Sequence, residues 1–413
     1  MSTEPLNKKI LLLTYAFPPL QSSESFLSIK ALAKIENIDI DILTIDARKI
    51  GYDLDSSLDT YTNKYFGEIY RVSPSRFIST KLFKFLRYVP SFPDRFRFFN
   101  SRLLKKANEI GIENYDSILS WSTWHSIHLV AASIKKRHPS IRWVAHLSDP
   151  WADNPFLTRF FGYKASQYFL EKKALSSADA INFTTNSIRL LVMKKYPKSW
   201  INKTFVTPHS FDNSLYPRNV SPKKNNGSFV INYLGNFYGP RNPKNLVKAL
   251  IQIHNEDKDL LSNVVFRFVG KWIGNENWLS TITELPDGLI QTSPPISYKD
   301  SLNEMAQSDL LLILDAPFES SVFFPSKLVD YIGARKPIFA ITPKGSCYDI
   351  LKEVGGILAS PQSVDSIKDG IIEAITKLKK GELIFPSKKK SERYSNSYVS
   401  EEYELLFRII LNN

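Results

Sequence analysis

Short apolar runs alternate with helix-like patterns along most of the 413-residue chain, and no other feature of the sequence restricts its fold as strongly. In the first half, the apolar runs lie at 9–14, 38–45, 117–121, 143–147, 180–185 and 204–208. Helical spacing of apolar residues lies between them, at 125–136, 164–175 and 187–195. Strands that alternate with helices predict an α/β protein, with a parallel sheet covered by helices on both faces.

The alternation starts again after the polar segment 217–228, whose Pro, Asn, Lys and Ser residues are typical of a linker. Strands are predicted at 229–234, 264–269, 310–314 and 337–341, and helices at 326–332 and 364–379. A further helix is predicted to open at Asn242 and Pro243, because Asn caps well and Pro suits the first helical position. We therefore expect two Rossmann-like, doubly wound domains that face a central cleft, with ligands beyond the carboxyl ends of the strands.

Cysteine content and hydropathy exclude several classes of protein. Cys347 is the single cysteine, so the chain forms no intramolecular disulfide and no cysteine-based metal site. The apolar run 10–13 is too short for a signal peptide, and no run approaches the length that crosses a bilayer. These observations predict a cytoplasmic protein.

A net charge of +13 predicts an anionic partner, and the charge is densest at 71–106. In this stretch Lys and Arg are interleaved with Phe and Tyr, which suits peripheral contact with the inner face of an anionic membrane. The alternative is that the aromatic rings face a core and the charges face water. Nucleic acid is not expected as a partner, because no recognised nucleic-acid-binding motif surrounds the stretch.

The segment 323–331 has the features of an anion site. A helix that begins near Pro325 directs backbone N–H groups and the positive end of its dipole toward a ligand, and Lys327 adds a full charge. Asp330 follows three residues later on the same helical face, where its carboxylate could accept hydrogen bonds from a ribose diol. The alternative is a surface Lys–Asp pair on an ordinary helix.

The segment 235–243 is a second candidate. Gly235 and Gly239 permit a tight loop, and Arg241 stands near a helix N-terminus, where a guanidinium can grip a diphosphate with two parallel hydrogen bonds. The sequence has neither a Walker phosphate loop nor a GxGxxG fingerprint. Kinases, P-loop hydrolases and standard dehydrogenases are therefore not expected.

Candidate acid–base residues lie in the first half. His146 belongs to the strand at 143–147, and Asp149 and Asp153 follow it, where they could perform acid–base chemistry or hold sugar hydroxyls. Asp149 before a proline could equally serve to end the strand. His125 and His128 are spaced like a metal pair, but no acidic or cysteine partner completes a ligand set, and no metal is expected.

Taken in order, these segments resemble glycosyltransferase family 4 from about Lys9 to the C-terminal helix. Phe-Pro-Pro at 17–19 resembles the family's FPPxxGG loop, with Ser22 and Ser23 at the glycine positions. Residues 147–151, Leu-Ser-Asp-Pro-Trp, resemble its Arg-Asp-Pro-Trp element, with Ser148 at the basic position, and His128 matches a histidine of the preceding helix. Residues 208–212, Pro-His-Ser-Phe-Asp, resemble the PNGxD element at the domain junction.

The second half resembles the family more closely. Residues 235–243 resemble a Gly-x-x-Tyr-x-x-Arg-x-Pro diphosphate loop, and 324–331 resemble Pro-Ser-Lys-Leu-x-Glu-Tyr. The first glutamate of the family's E-x7-E pattern falls at Val322. The resemblance implies a GT-B fold, a C-terminal helix that crosses back to the first domain, and a metal-independent, mostly retaining reaction without a cofactor. The residues that it implies for the donor diphosphate are Arg241, Lys327, Ser326 and Gly235, with Asp330 for the ribose and Asp149, His128 and His146 for catalysis.

The sequence thus predicts an acceptor domain at 1–215, completed by the C-terminal helix 396–413, and a nucleotide-sugar donor domain at 216–395. The expected activity is glycosyl transfer to a lipid-linked or polysaccharide acceptor in the synthesis of cell-surface glycans. Two alternatives stay open: a sugar-nucleotide epimerase of the same fold, and a non-catalytic subunit. The substitutions at Ser22, Ser23, Ser148 and Val322 favour the second, whereas the presence of Arg241, Lys327 and Asp330 argues against it.

Overall fold

The computed structural model describes residues 8–74, 93–156, 162–217, 227–274 and 284–412. The chain divides into two compact units. Unit 1 comprises Met1–Ser210 and Asn396–Asn413, and unit 2 comprises Phe211–Ser395. The division after Ser210 lies slightly before the predicted boundary at 215, and the C-terminal helix belongs to unit 1.

Unit 1 is built on a seven-stranded parallel sheet with the order β3-β2-β1-β4-β5-β6-β7. Its strands are β1 (Lys8–Thr14), β2 (Ile38–Ile45), β3 (Ile69–Val72), β4 (Ser117–Ser122), β5 (Arg142–Leu147), β6 (Ala180–Phe183) and β7 (Thr204–Val206). The run Ile10–Leu13 of β1 is fully buried, as expected of a central strand with both faces covered. Because β1 and β4 are neighbours while β2 and β5 lie on opposite sides of them, the strand order reverses between β1 and β4.

The helices of unit 1 are α1 (Ser23–Leu32), α2 (Asp59–Tyr65), α3 (Asn100–Glu109), α4 (Ser126–Arg137), α5 (Tyr163–Ser177), α6 (Asn186–Met193) and the C-terminal α13 (Asn396–Asn412). Thr185 caps α6 by accepting a hydrogen bond from the N–H of Ile188. Helix α13 packs on α1, where the Ser400 hydroxyl donates to the carbonyl of Ala31 at 3.0 Å. The predicted return of the C-terminal helix to the first domain is therefore observed.

Unit 2 contains a six-stranded parallel sheet with the order β12-β10-β8-β13-β15-β17. Its strands are β8 (Phe229–Leu234), β10 (Val264–Val269), β12 (Ile290–Ser293), β13 (Leu310–Leu314), β15 (Ile338–Ile341) and β17 (Ile357–Ala359). Two short parallel pairs accompany it, β9 (Phe237–Tyr238) with β11 (Trp272–Ile273) and β14 (Ser320–Ser321) with β16 (Lys344–Gly345). Strands β13 and β15 are buried along their whole length, as their apolar sequences predict.

The helices of unit 2 are α7 (Lys244–Glu256), α8 (Tyr298–Gln307), α9 (Ser326–Gly333), α10 (Ser346–Val354), α11 (Val364–Lys380) and α12 (Lys388–Ser391). Helix α7 differs from the prediction: it starts at Lys244, and Pro243 is its N-cap instead of its first helical residue. The amide oxygen of Asn242 accepts a hydrogen bond from the N–H of Lys244. Asn242 therefore stabilises the start of the helix from the position before the N-cap. Helix α11 is followed by Gly381, whose φ of 72° is the left-handed conformation that glycine adopts without strain.

The basic aromatic stretch 71–106 is described only in part, because its segment 75–92 lies outside the described residues. In the described part, Phe96 and Phe99 are fully buried, whereas Phe98 is 40% exposed. Two of these three rings therefore face the core, which agrees with the alternative interpretation of the stretch. Across the five described ranges, no helix combines the length and the apolar character that spanning a bilayer requires.

Candidate functional site

Side chains from three loops of unit 2 converge beyond the carboxyl ends of its central strands. Arg241 follows β8 and β9, Asp315 follows β13 directly, and Thr342 follows β15 directly. Strands β8, β13 and β15 are neighbours in a parallel sheet, so these loops emerge at the same edge. Lys327, the second residue of α9, contributes a buried amine to the cluster.

Arg241 is held by two side chains. Its Nη2 lies 3.2 Å from Oδ1 of Asp315, and its Nη1 donates to the Tyr238 hydroxyl at 2.9 Å. The other oxygen of Asp315 accepts from the Thr342 hydroxyl at 2.8 Å. Burial opposes the charge on Arg241, but Tyr238 and Asp315 outweigh it and raise the pKa of the guanidinium above its usual value. The guanidinium is therefore a fixed, oriented cation.

Lys327 lacks such support. Its Nζ is buried and has no hydrogen-bond partner among the described residues, and it lies 3.7 Å from the centre of the Tyr233 ring. Burial, followed by the neighbouring charge of Arg241, lowers the pKa of Lys327 well below its usual value. An amine in this position gains most from an anion that neutralises both cations.

Gly235 makes room for this amine. A Cβ atom at position 235 would lie 2.5 Å from Nζ of Lys327, which is closer than non-bonded atoms approach. The φ angle of Gly235 is 152°, a conformation that residues with a side chain rarely adopt. The backbone conformation thus favours glycine at this position, and a Cβ atom would in addition have to displace the end of the Lys327 side chain.

The N-terminus of α9 lies in the same region, because Ser326 and Lys327 are its first two residues. Pro325 is the N-cap, and its carbonyl accepts from the N–H of Leu328 at 2.9 Å. The N–H groups of a first helical turn have no partner within the helix, and they carry the positive end of its dipole. Ser326 and Lys327 therefore offer backbone donors next to the buried amine of Lys327.

Asp330 lies on the same helix but is already engaged. Its side chain is buried, and Oδ1 accepts from the Tyr298 hydroxyl at 2.8 Å. Its backbone carbonyl accepts from the Tyr216 hydroxyl at 2.9 Å. Sequence reasoning did not identify either tyrosine, because each lies far from Asp330 in the chain.

The two candidate histidines of unit 1 are enclosed in its interior. Nδ1 of His128 lies 2.8 Å from the Ser120 hydroxyl, and Nδ1 of His146 lies 2.9 Å from the hydroxyl of Tyr403 on α13. The His146 ring stacks on Trp121, with ring centres 3.7 Å apart. Burial lowers the pKa of both imidazoles well below the usual value, so both are neutral at neutral pH. Their positions suit a packing and orienting role better than direct contact with a substrate.

Asp149, the third candidate of unit 1, is half-buried just beyond β5. Next to it lies Glu24, which sequence reasoning missed. Glu24 is buried in the first turn of α1, and Oε2 lies 2.8 Å from the Ser148 hydroxyl. Burial, with a contribution from the charge of Asp149, raises the pKa of Glu24 to about 8. A glutamate at a helix start is common, so the sequence held no signal that singled it out.

Comparison with solved structures identifies the fold. UDP-glucose-bound Alr3699/HepE of Anabaena matches with a TM-score of 0.65 and 17% identity, over 97% of this chain and 100% of that one. A glycosyltransferase from Rickettsia africae ESF-5 matches with a TM-score of 0.66 and 14% identity, over 98% of this chain and 100% of that one. UDP-GlcNAc 2-epimerase from Neisseria meningitidis, bound to UDP-GlcNAc, matches with a TM-score of 0.59 and 11% identity, over 98% of this chain and 100% of that one.

The chain has the GT-B fold, with two Rossmann-like domains. The predicted fold class is therefore confirmed. No family model and no curated protein matches the sequence, so membership of glycosyltransferase family 4 stays a prediction. At these identities the structural likeness concerns the fold alone.

Proposed function

We propose that this protein is a glycosyltransferase that takes a hexosyl or related group from a nucleotide-sugar donor. The observation that carries the proposal is the buried Nζ of Lys327, which has no hydrogen-bond partner in the described parts of the chain and lies beside the charge of Arg241. Asp315 already engages Arg241, so a buried amine without a hydrogen-bond partner beside this guanidinium stays unfavourable unless a further anion joins them. A diphosphate offers several oxygens to two cations and a helix N-terminus at once.

This arrangement suits the departure of a nucleoside diphosphate. Negative charge grows on the diphosphate as the bond to the sugar breaks, and preorganised cations stabilise that charge more in the transition state than in the bound donor. Arg241, Lys327 and the N–H groups at Ser326 would supply this stabilisation, with Gly235 providing the space. Because the protein provides these cations, we propose that the reaction needs no metal ion or cofactor.

The remaining candidate residues would hold the ribose and position the acceptor. Asp330 would hold the ribose, with its carboxylate oriented by Tyr298. Asp149 would face the acceptor, while His128 and His146 would orient their surroundings from the interior. A departing phosphate oxygen could take the acceptor's proton, which fits a retaining reaction. Unit 2 would thus be the donor domain and unit 1 the acceptor domain.

We further propose a glycan or lipid-linked acceptor and a cytoplasmic site of action. The likeness in fold to a protein solved with UDP-glucose supports a nucleotide-sugar donor. The net charge of +13 supports an anionic acceptor or membrane surface. Contact with the membrane through 71–106 stays a prediction, since the central part of that stretch lies outside the described residues.

A sugar-nucleotide epimerase is the second candidate, because an enzyme of that type shares the fold. An epimerase must act on the sugar ring itself, and so needs ionisable groups around the sugar in addition to those around the diphosphate. The cations described for unit 2 suit the diphosphate: Arg241 and Lys327 belong to one cluster, in which Asp315 holds Arg241 in place. Glycosyl transfer therefore explains the observed charges with fewer additional groups.

A donor screen tests the proposal. The purified protein is incubated with UDP- and GDP-sugars in the presence of EDTA and of candidate glycan acceptors, and the release of nucleoside diphosphate is followed together with the sugar products. We expect metal-independent release from one donor and a sugar linked to the acceptor. A free or nucleotide-bound sugar of altered configuration would support the epimerase. No turnover of any donor by folded protein would favour the non-catalytic subunit.

A further inference from the structure

Glu24 occupies the point of unit 1 where the strand order reverses. It lies in the first turn of α1, which follows β1, and Trp121 and Thr123 lie at and just after the end of the neighbouring strand β4. In open α/β sheets the connections on the two sides of such a point diverge and leave a crevice that ligands use. A buried carboxyl group in that place is unusual, because burial disfavours its charged form.

The side chain of Glu24 is bound on one oxygen by two partners. Oε2 lies 2.8 Å from Oγ of Ser148 and 3.1 Å from Nε1 of Trp121. Thr123 makes a further side-chain hydrogen bond to the carboxyl group. The carboxyl group is thus fixed by residues at the ends of β4 and β5.

A count of hydrogens shows which group donates between Glu24 and Ser148. The Ser148 hydroxyl has one hydrogen, and its Oγ also lies 2.7 Å from the carbonyl oxygen of Ser122. A carbonyl oxygen can only accept, so the hydrogen of Ser148 is directed to Ser122. The contact between Glu24 and Ser148 then needs a hydrogen from Glu24, which makes Glu24 a neutral carboxylic acid.

The surroundings of Glu24 favour the same state. The negative charge of Asp149 acts on Glu24 and disfavours a second negative charge there. Tyr403 reaches the region from α13, and the neutral His146 ring stacks on Trp121 on the side of β5. Burial together with Asp149 raises the pKa of Glu24 to about 8, outweighing the hydrogen bonds at its carboxyl group, which lower the pKa.

We propose that Glu24 is a positioning residue for the acceptor side of the proposed transfer: as a neutral acid it holds Ser148 against Ser122 and so fixes the adjacent Asp149. This inference rests on the proposed function. Loss of the proton would break the chain of hydrogen bonds from Glu24 through Ser148 to Ser122. It would also place two negative charges side by side where the acceptor is expected.

Two variants of similar size separate hydrogen bonding from packing. The side-chain amide of Glu24→Gln can donate to Ser148 as the neutral acid does, whereas Glu24→Leu fills the space without donating. Donor turnover is measured from pH 6 to 10 with the best donor of the screen described above. We expect Glu24→Gln to keep most of the wild-type activity at pH 7 and Glu24→Leu to lose about tenfold. The wild type should lose activity as the pH rises past about 8, and Glu24→Gln should not.

Equal activity of the two variants, or an alkaline loss that persists in Glu24→Gln, would overturn the positioning role. If Glu24→Leu fails to fold, Ser148→Ala takes its place, since it removes the same hydrogen bond from the other side. Infrared spectra provide a readout that needs no activity. The wild type at pH 7 should show the carbonyl band of a protonated carboxyl group, which Glu24→Gln lacks and Ser148→Ala shifts.

The two readouts distinguish the possible failures. Absence of the infrared band would overturn the inference even in an active enzyme. A wild type that shows the band but turns over no donor would overturn the proposed function, and the positioning role with it, while the proton on Glu24 would stand.

Discussion

Nζ of Lys327 lies 3.7 Å from the centre of the Tyr233 ring, with no hydrogen-bond partner in the part of the chain that the structure describes. The face of an aromatic ring attracts a cation but replaces only part of the hydration that burial removes. The nearby charge of Arg241 makes the position less favourable still for an ammonium ion. The interaction with Tyr233 therefore holds the amine in place, and a bound anion would supply the hydrogen-bond acceptors that the amine lacks.

Binding of a diphosphate should be coupled to proton uptake by Lys327. Burial and Arg241 lower the pKa of this amine, and a bound diphosphate would raise it again, so binding shifts the amine toward its protonated form. Titration calorimetry in buffers of different ionisation enthalpy at pH 7 measures this uptake. Lys327→Arg is the control, because its guanidinium stays charged in both states. An identical binding enthalpy for the wild type in all buffers would contradict the account.

Gly235→Ala should weaken diphosphate binding and destabilise the protein. The new Cβ would lie 2.5 Å from Nζ of Lys327, and the φ of 152° would strain the backbone, at a cost of about 1–3 kcal/mol. Gly239→Ala in the same loop provides the comparison: its φ is 53°, and a Cβ there would meet nothing within 4 Å. Thermal unfolding and diphosphate titration of both variants measure the difference. Equal binding by the two would show that Lys327 is not the affected group.

Glu24→Gln should flatten the pH dependence of stability. The pKa of Glu24 is raised from 4.5 to about 8 in the folded protein, so the folded state keeps a proton that the unfolded state releases. The free energy of unfolding of the wild type should therefore fall as the pH rises from 4.5 to 8, by up to about 1.4 kcal/mol per pH unit from this group. Denaturant unfolding at four pH values in this range tests it. An identical slope in both proteins would mean that Glu24 does not carry the proton.

Lys195→Ala should strongly destabilise unit 1. Nζ of Lys195 lies 2.7 Å from Oε1 of the fully buried Glu171, and it also contacts Asp153. Removing the cation leaves these carboxylates with too little compensation, which typically costs about 3–5 kcal/mol. Lys194→Ala, which removes the exposed neighbouring lysine, should change the free energy of unfolding by less than about 0.5 kcal/mol. Similar unfolding midpoints for both variants would contradict the importance of this cluster.

The main strands and helices could be predicted from the sequence because apolar periodicity determines them locally. The fully apolar run 310–314 coincides with β13, and the helix predicted at 326–332 differs from α9 by one residue. The strands β9, β11, β14 and β16 have two residues each and are too short to show a period. Tertiary pairing, which no local pattern encodes, creates them.

For the candidate site, the sequence indicated only residues that belong to short, recognisable segments. Gly235, Arg241 and Lys327 belong to short segments whose composition indicates an anion site. Their partners lie far away in the sequence. Asp315 is 74 residues from Arg241, which it holds, and Glu24 is 124 residues from Ser148, which it contacts. Such pairs arise because parallel strands bring distant loops to one edge of a sheet. The burial of His128 and His146 likewise depends on packing that their spacing does not reveal.

Calorimetric titration with UDP and GDP in the presence of EDTA tests the donor site most directly, comparing the wild type with Lys327→Ala and with Lys352→Ala, an exposed lysine of α10. We expect one diphosphate to bind without metal, to bind at least about tenfold more weakly to Lys327→Ala, and to bind equally to Lys352→Ala. Failure of the folded wild type to bind either diphosphate at about 1 mM, or equal affinity of all three proteins, would contradict the assignment of this site.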